Sequence, residues 1–267
     1  MLIKLGFEND TPNWTRLDDL HQEIHHFLGN KLFYGEKEIE PTPKRILDAG
    51  AGSAGWAIEA AHKFPEAEVF AVDLSPTLLR PLPKNVKYMT VNMVTEELPF
   101  ESGSFDLIHC RFVIVHIRDF PQLLNKLAKL LRPGGWLLIL DNEHNMKGDI
   151  GPGIKKFYDT YHKFTKPYGV DPLGGPKLEE TLKDMGVFSE VNVRKVEAPF
   201  DGVHEDRSIG RLGKALRKSI SGAYEVLNPR LVESGLNEKI RKGWYEDVED
   251  PKRRIHTDLY FTWSKKA

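Results

Sequence analysis

The rhythm of residues 45–142 constrains the fold more than any other feature. Short apolar runs alternate there with helical patterns. "RILDA" (45–49), "EVFAVDL" (68–74), "VKYMTVN" (86–92), "FDLIHCR" (105–111) and "WLLILDN" (136–142) read as strands. "GWAIEAAHKF" (55–64) reads as a helix closed by Pro65, and "DFPQLLNKLAKLL" (119–131) as one opened by Pro121 and ended by "RPGG". Ser75-Pro76 is a cap and first-turn pair for a further short helix. Such alternation predicts an α/β chain with a parallel, doubly wound sheet, whose ligand lies beyond the C-terminal strand ends.

The first strand-to-helix turn is "LDAGAGSAG" (47–55). Glycines here let the backbone bend tightly and let a ligand approach without a Cβ in the way. Gly50, Gly52 and Gly55 satisfy the dinucleotide pattern G-x-G-x-x-G, and Asp73 follows where a ribose-binding acid would stand. The same letters, with Asp48 ahead of Gly50, also fit the loop that holds S-adenosylmethionine. In that case Asp48 would meet the ammonium of the methionine moiety and Asp73 the ribose hydroxyls, while a structural role for Asp48 in the loop is the alternative.

Composition narrows the class. The chain has 267 residues, enough for one large α/β domain with a cap. Its 38 basic and 39 acidic residues nearly cancel, which argues against a nucleic-acid surface. A single cysteine, Cys110, excludes an internal disulfide framework. No apolar leader or membrane-length run occurs, so the expectation is a soluble intracellular protein, cytoplasmic with the nucleus left open. No His, Cys and carboxylate cluster has metal-ligand spacing, so no metal is expected.

On either side of the alternating region the pattern differs. Leu17, Leu20, Ile24, Phe27 and Leu28 form one apolar stripe, so residues 1–43 read as an N-terminal helical cap segment. Downstream come an aromatic-rich helix in 151–169, a helix stopped by Gly186, and a strand in "VNVRKVEAPF" (191–200). A charged helical run from about 205 to 249 then precedes a last strand, "HTDLYFTW" (256–263). The main domain is therefore expected over 44–267, with a helical insertion at about 201–254 and the two late strands returning as an antiparallel pair at the sheet edge.

The run from "RILDAGAGSAGW" through "DLSP", "FDLIHCR" and "IRDFPQLL" to "LRPGGWLLILD" resembles the class I S-adenosylmethionine-dependent methyltransferases, and more narrowly the fungal LaeA-like methyltransferases. The resemblance extends from "RLDDLHQEI" to the closing "IHTDLYFTW". It implies a Rossmann-like seven-stranded sheet of order 3-2-1-4-5-7-6, with strand 7 antiparallel and helices on both faces. It also implies S-adenosylmethionine as cofactor, with S-adenosylhomocysteine as product. By position, Asp48, Gly50 and Gly52 would hold the methionine end, Trp56 at the start of the following helix would be a further cofactor-binding residue, and Asp73 with Leu74 would hold the ribose and adenine. Two departures stand out: the adenine position reads Asn92-Met93 where an acid is usual, so Asn92 would hydrogen-bond the adenine amino group and Met93 would pack on its ring, and Ala54 stands where a third loop glycine is common.

Methyl transfer is a displacement at a sulfonium carbon, so the protein mainly orients the reactants and excludes water. A hydroxyl or amine acceptor gains from a base, and His116 and His109 are the candidates, with His144 nearby after the fifth strand. Arg111 is a candidate anchor for an acidic acceptor or a partner for a surface acid. Tyr158, Tyr161 and His162, with Trp14, His21, Tyr34, Phe157 and Phe164, are candidate walls for a flat acceptor, although ordinary helix packing would use the same residues. The expectation is methylation of a small molecule in fungal specialised metabolism, with hydroxyl or carboxyl oxygen ahead of nitrogen as acceptor. Two alternatives remain: a LaeA-like nuclear regulator acting through protein partners, whose extended tails this chain nearly lacks, and an NAD-dependent oxidoreductase.

Overall fold

The computed structural model describes residues 11–36, 39, 42–75, 80–225, 232–233 and 235–267. The short helix expected after Ser75 falls largely outside them. Five parallel strands form the expected frame: β1 (Arg45–Ala49), β2 (Glu68–Asp73), β3 (Val86–Thr90), β4 (Phe105–Arg111) and β5 (Leu131–Asn142). They are followed by β6 (Lys147–Gly148), β7 (Phe188–Pro199) and β8 (Ile255–Lys266). The order is β3-β2-β1-β4-β5-β8, with β7 on the far side of β8 and β8 antiparallel to its partners. Thus β8 takes the place expected of strand 7 and β7 that of strand 6. The addition is β6, a two-residue strand that continues past the end of β5 and pairs with Ile255 and His256.

Both faces of the sheet are covered because successive strand residues point to opposite sides. Ile46, Val69, Leu107 and Trp136 pack with Trp56, Ala57 and Ala60 of α2 (Gly55–Lys63). Leu47, Phe70 and Ile108 pack on the other face against α3 (Phe120–Leu130) and α5 (Gly174–Asp184), through Leu124, Leu127 and Leu178. A third core joins α1 (Thr11–Phe27), α4 (Pro152–Thr165), α6 (Arg207–Tyr224) and α7 (Glu238–Glu249) to Leu140 of β5, Val196 of β7 and Leu259 of β8. Its centre holds Phe157, Leu212, Leu216 and Trp244. Within the long charged run, α6 and α7 are each started by an acid or amide side chain: Asp206 accepts from the Ser208 N–H and Asn237 from the Ile240 N–H.

This third core forms a roof. α1 is tied to the glycine loop by Asp18, whose carboxylate accepts from Ser53 Oγ at 2.6 Å and from Arg80 at 2.9 Å. Along its other side, Arg16 donates to Ser219, Lys218 pairs with Asp19, and Arg211 pairs with Glu23, all across to α6. No helix among the described residues is long and apolar enough to cross a membrane.

Candidate active site

The C-terminal ends of β1, β2, β4 and β5 converge under this roof on a cavity of about 380 Å³, within the range of small-molecule sites. Its floor is the glycine loop. Gly50 and Ala51 both donate to the Val72 carbonyl, which folds the chain back over β2. Gly50 has φ +82°, and a Cβ there would lie 2.2 Å from Val113 Cγ2, so only glycine fits. Asp73 locks the loop: one oxygen accepts from the Gly52 N–H at 2.8 Å and the other from the Ser75 N–H at 2.9 Å. Each oxygen keeps a lone pair for a ligand hydroxyl. Ala54 adopts φ +60°, the conformation glycine favours, so the departure at that position keeps the backbone shape. Gly55 opens α2 against His21 and Asp18 of α1 and serves helix packing.

Asp48 lies deeper than expected. It is 2% exposed, and its Oδ1 accepts a hydrogen bond from His109 Nδ1 at 2.8 Å. Parallel pairing of β1 with β4 sets the two residues side by side. Trp56 stacks on the imidazole with ring centres 3.9 Å apart. Burial pushes the His109 pKa down, against the pull of Asp48, so the ring is neutral at pH 7. Neither Asp48, His109 nor Trp56 lines the large cavity.

Beyond β4 the chain turns sharply. Phe112 has φ +53°, and a short 3-10 turn, Ile114–His116, follows. Buried Asp141 holds this turn: its Oδ2 accepts from the Val113 and Ile114 N–H groups at 3.0 and 2.7 Å, and its Oδ1 from the Asn142 N–H. Despite these donors, burial raises the Asp141 pKa to about 7. The turn presents Val113, Val115, His116 and Ile117 to the cavity.

The far end of the cavity is aromatic, with Arg16 in its wall. His116 and His144 face one another with ring centres 5.0 Å apart, and Tyr161 packs edge-on to His144. Burial, with the Arg16 guanidinium nearby, lowers the His116 pKa to about 4, and burial lowers that of His144 strongly. Both rings are therefore neutral at pH 7. Each Nδ1 is shut off from solvent and makes no hydrogen bond, which leaves Nε2 as the nitrogen able to meet a ligand. Tyr158 and Tyr224 complete this wall.

Of the residues expected from sequence, the cavity brings together Gly50, Gly52, Asp73, Leu74, Met93, Arg111, His116, His144, Tyr158 and Tyr161. Asn92 is turned away, its side chain accepting from the Val94 and Thr95 N–H groups. His162 donates to the His144 carbonyl and so supports the wall from behind. Trp14 lines the cavity as expected, whereas His21, Tyr34, Phe157 and Phe164 do not. Sequence reasoning missed Arg16, Asn142 and a stripe on α6 made of Leu216, Ser219, Ile220, Ala223 and Tyr224. The three- and four-residue spacing of that stripe was the available signal. Among the described residues one group has metal-ligand proximity, Glu197, His256 and Asp258. Asp258 is already paired with Lys147 at 2.6 Å and Lys195 at 2.9 Å, and none of the three lines the cavity.

A loop that excludes side chains at Gly50, an acid closing β2, and a roofed cavity beyond a sheet of this order define a methyltransferase. The family model described as a methyltransferase domain matches residues 18–149, and the chain belongs to the class I S-adenosylmethionine-dependent methyltransferases. Within them it is similar to fungal enzymes. It is 38% identical to methyltransferase str2 of Strobilurus tenacellus, covering 97% of this chain and 94% of that one. It is 32% identical to methyltransferase pytC of Aspergillus terreus over 84% of this chain and 70% of that one. It is also 29% identical to protein-methionine methyltransferase laeA of Emericella nidulans, spanning 70% of this chain and 51% of that protein. The fold matches the phosphoethanolamine N-methyltransferase 2 of Haemonchus contortus, solved with S-adenosylhomocysteine, at a TM-score of 0.57 and 19% identity. That match covers 95% of this chain and 57% of the other.

Proposed function

We propose that this chain methylates a small molecule, with S-adenosylmethionine over the glycine loop and the acceptor between His116, His144, Tyr158 and Tyr161. The observation that carries the reading is the single roofed cavity whose wall includes both Asp73 and His116. The residues fit the cofactor. Gly50 leaves an open cradle, Asp73 has lone pairs free for the ribose hydroxyls, and Leu74 and Met93 offer apolar surface to the adenine. Asp48, held by His109, contributes negative charge behind the methionine ammonium. When bound, S-adenosylmethionine supplies an activated methyl group on sulfonium sulfur.

The chain's own residues then do three things. The roof of α1 and α6 excludes water, and the Asp141-anchored turn fixes His116 beside the reacting centre. The aromatic wall orients a flat acceptor. Neutral His116 accepts a hydrogen bond from an acceptor hydroxyl at Nε2, and takes the proton as the O–H bond yields to the new O–CH3 bond. A carboxylate acceptor needs no such transfer. Oxygen is therefore favoured as the methylated atom, with nitrogen next, and similarity to the secondary metabolism regulator laeA of Emericella nidulans supports a role in fungal specialised metabolism. The roofed cavity favours a small molecule over a protein partner.

A panel assay tests this reading. Purified protein is incubated with S-adenosylmethionine and phenols, enols, carboxylic acids and amines, and products are read by mass. Methylation of hydroxyl or carboxyl compounds is expected. Turnover confined to amines would overturn the preference for oxygen.

A further inference from the structure

Arg111 closes β4 and lines both the large cavity and a smaller one of about 30 Å³. Its Nη1 lies 3.1 Å from His21 Nδ1. A guanidinium can only donate, so that nitrogen of His21 must be the unprotonated acceptor. His21 Nε2 then carries the proton and lies 2.8 Å from the Glu59 carboxylate. The chain Arg111–His21–Glu59 is thus consistent only with a neutral imidazole. Arg111 makes a hydrogen bond there but gains no countercharge.

No carboxylate lies within 4 Å of the Arg111 guanidinium among the described residues, although Asp48, Glu59 and Asp18 act on it from farther away. A cation in a cavity wall without an ion-pair partner is costly unless a ligand anion completes it. Position decides which ligand. The groups that act on Arg111 all belong to the glycine-loop end, whereas the cation that acts on His116 at the acceptor end is Arg16. We infer that Arg111 holds the carboxylate of the cofactor's amino-acid tail and does not anchor an acidic acceptor. Asp48, buried behind the loop, adds negative charge at the same end without lining the cavity. The planar fork of arginine suits a carboxylate. This inference rests on the reading of the loop as a S-adenosylmethionine site.

The test compares two ligands on wild type, Arg111→Gln and Arg111→Lys by titration calorimetry. S-adenosylhomocysteine carries the tail; 5′-methylthioadenosine has the same adenosine and thioether without it. Arg111→Gln should weaken S-adenosylhomocysteine at least about tenfold and leave 5′-methylthioadenosine within about twofold, as expected for loss of one charge-assisted contact. Arg111→Lys, which keeps the charge and the cavity wall, should fall between. Unchanged S-adenosylhomocysteine binding with a raised acceptor KM would return Arg111 to the acceptor and overturn the inference. Equal weakening of both ligands would also overturn it, since that marks a loss of loop shape. If wild type binds neither ligand, the cofactor reading itself fails, which is a separate result.

Discussion

His109 donates from Nδ1 to Asp48 Oδ1 at 2.8 Å, and the Trp56 indole covers the imidazole at a ring separation of 3.9 Å. Neither His109 nor Asp48 lines the large cavity, and on the proposed reading His109 positions the loop acid. His109→Ala would leave both Asp48 oxygens buried without a hydrogen bond, since Oδ2 already lacks one. A loss of about 3–5 kcal/mol in urea unfolding is expected. Turnover of the folded fraction should stay within several-fold of wild type. A large fall in kcat with wild-type stability would instead restore His109 as the base.

Gly50 and Val113 touch across the loop. Gly50→Ala brings a strained φ and a clash with Val113 Cγ2, and should cost about 1–3 kcal/mol with loss of cofactor affinity. Adding Val113→Ala removes the clash but not the strain. The double variant should therefore recover part of the stability on thermal unfolding and remain below wild type.

The pH dependence of stability separates two buried groups. His116 falls from 6.5 to about 4 on folding, so its contribution is intact above pH 6.5 and is lost as pH falls toward 4. Asp141 rises from 3.8 to about 7, so its contribution is intact below pH 3.8 and is lost as pH climbs through 7. Between pH 5 and 8 the two oppose one another, each by about 2 kcal/mol. Relative to wild type, His116→Asn should tilt the stability curve downward toward pH 8, and Asp141→Asn should tilt it upward. Denaturant titrations at pH 5, 6.5 and 8 check both signs.

The roof is held by packing more than by its ion pairs. Arg211 and Glu23 are both partly exposed, and Arg211→Ala should change stability by less than about 1 kcal/mol. Trp244 is fully buried against Phe157 and Tyr224. Trp244→Ala should cost about 3–5 kcal/mol and raise the acceptor KM through the loosened Tyr224. Urea unfolding and steady-state kinetics on the same preparations read both effects.

The sheet was legible because strand alternation, the glycine turn and "RPGG" are local signals. Asp73 and His116 were legible because each ends or follows a strand at the ligand edge. The burial of Asp48 was not, since it depends on the β1–β4 register that sets His109 beside it. Asn92 looked like an adenine ligand, yet its side chain caps its own turn, a local hydrogen bond that competes with any distant partner. The α6 wall was missed because four basic residues are interleaved with the apolar ones in "GRLGKALRKSISGAY", and only the folded helix shows which stripe faces inward. β6 is two residues long and carries no periodicity to read.

On the proposed reading, the Asp73 end of the cavity holds S-adenosylmethionine. Thermal unfolding with S-adenosylmethionine, S-adenosylhomocysteine or NADH, on wild type and Asp73→Ala, tests it most directly. A ligand that binds the native state adds about 2.7 kcal/mol at a hundredfold excess over its Kd. Both sulfur nucleotides should raise the wild-type Tm, NADH should not, and Asp73→Ala should lose the shift. Stabilisation by NADH alone, or an undiminished shift in Asp73→Ala, would contradict it.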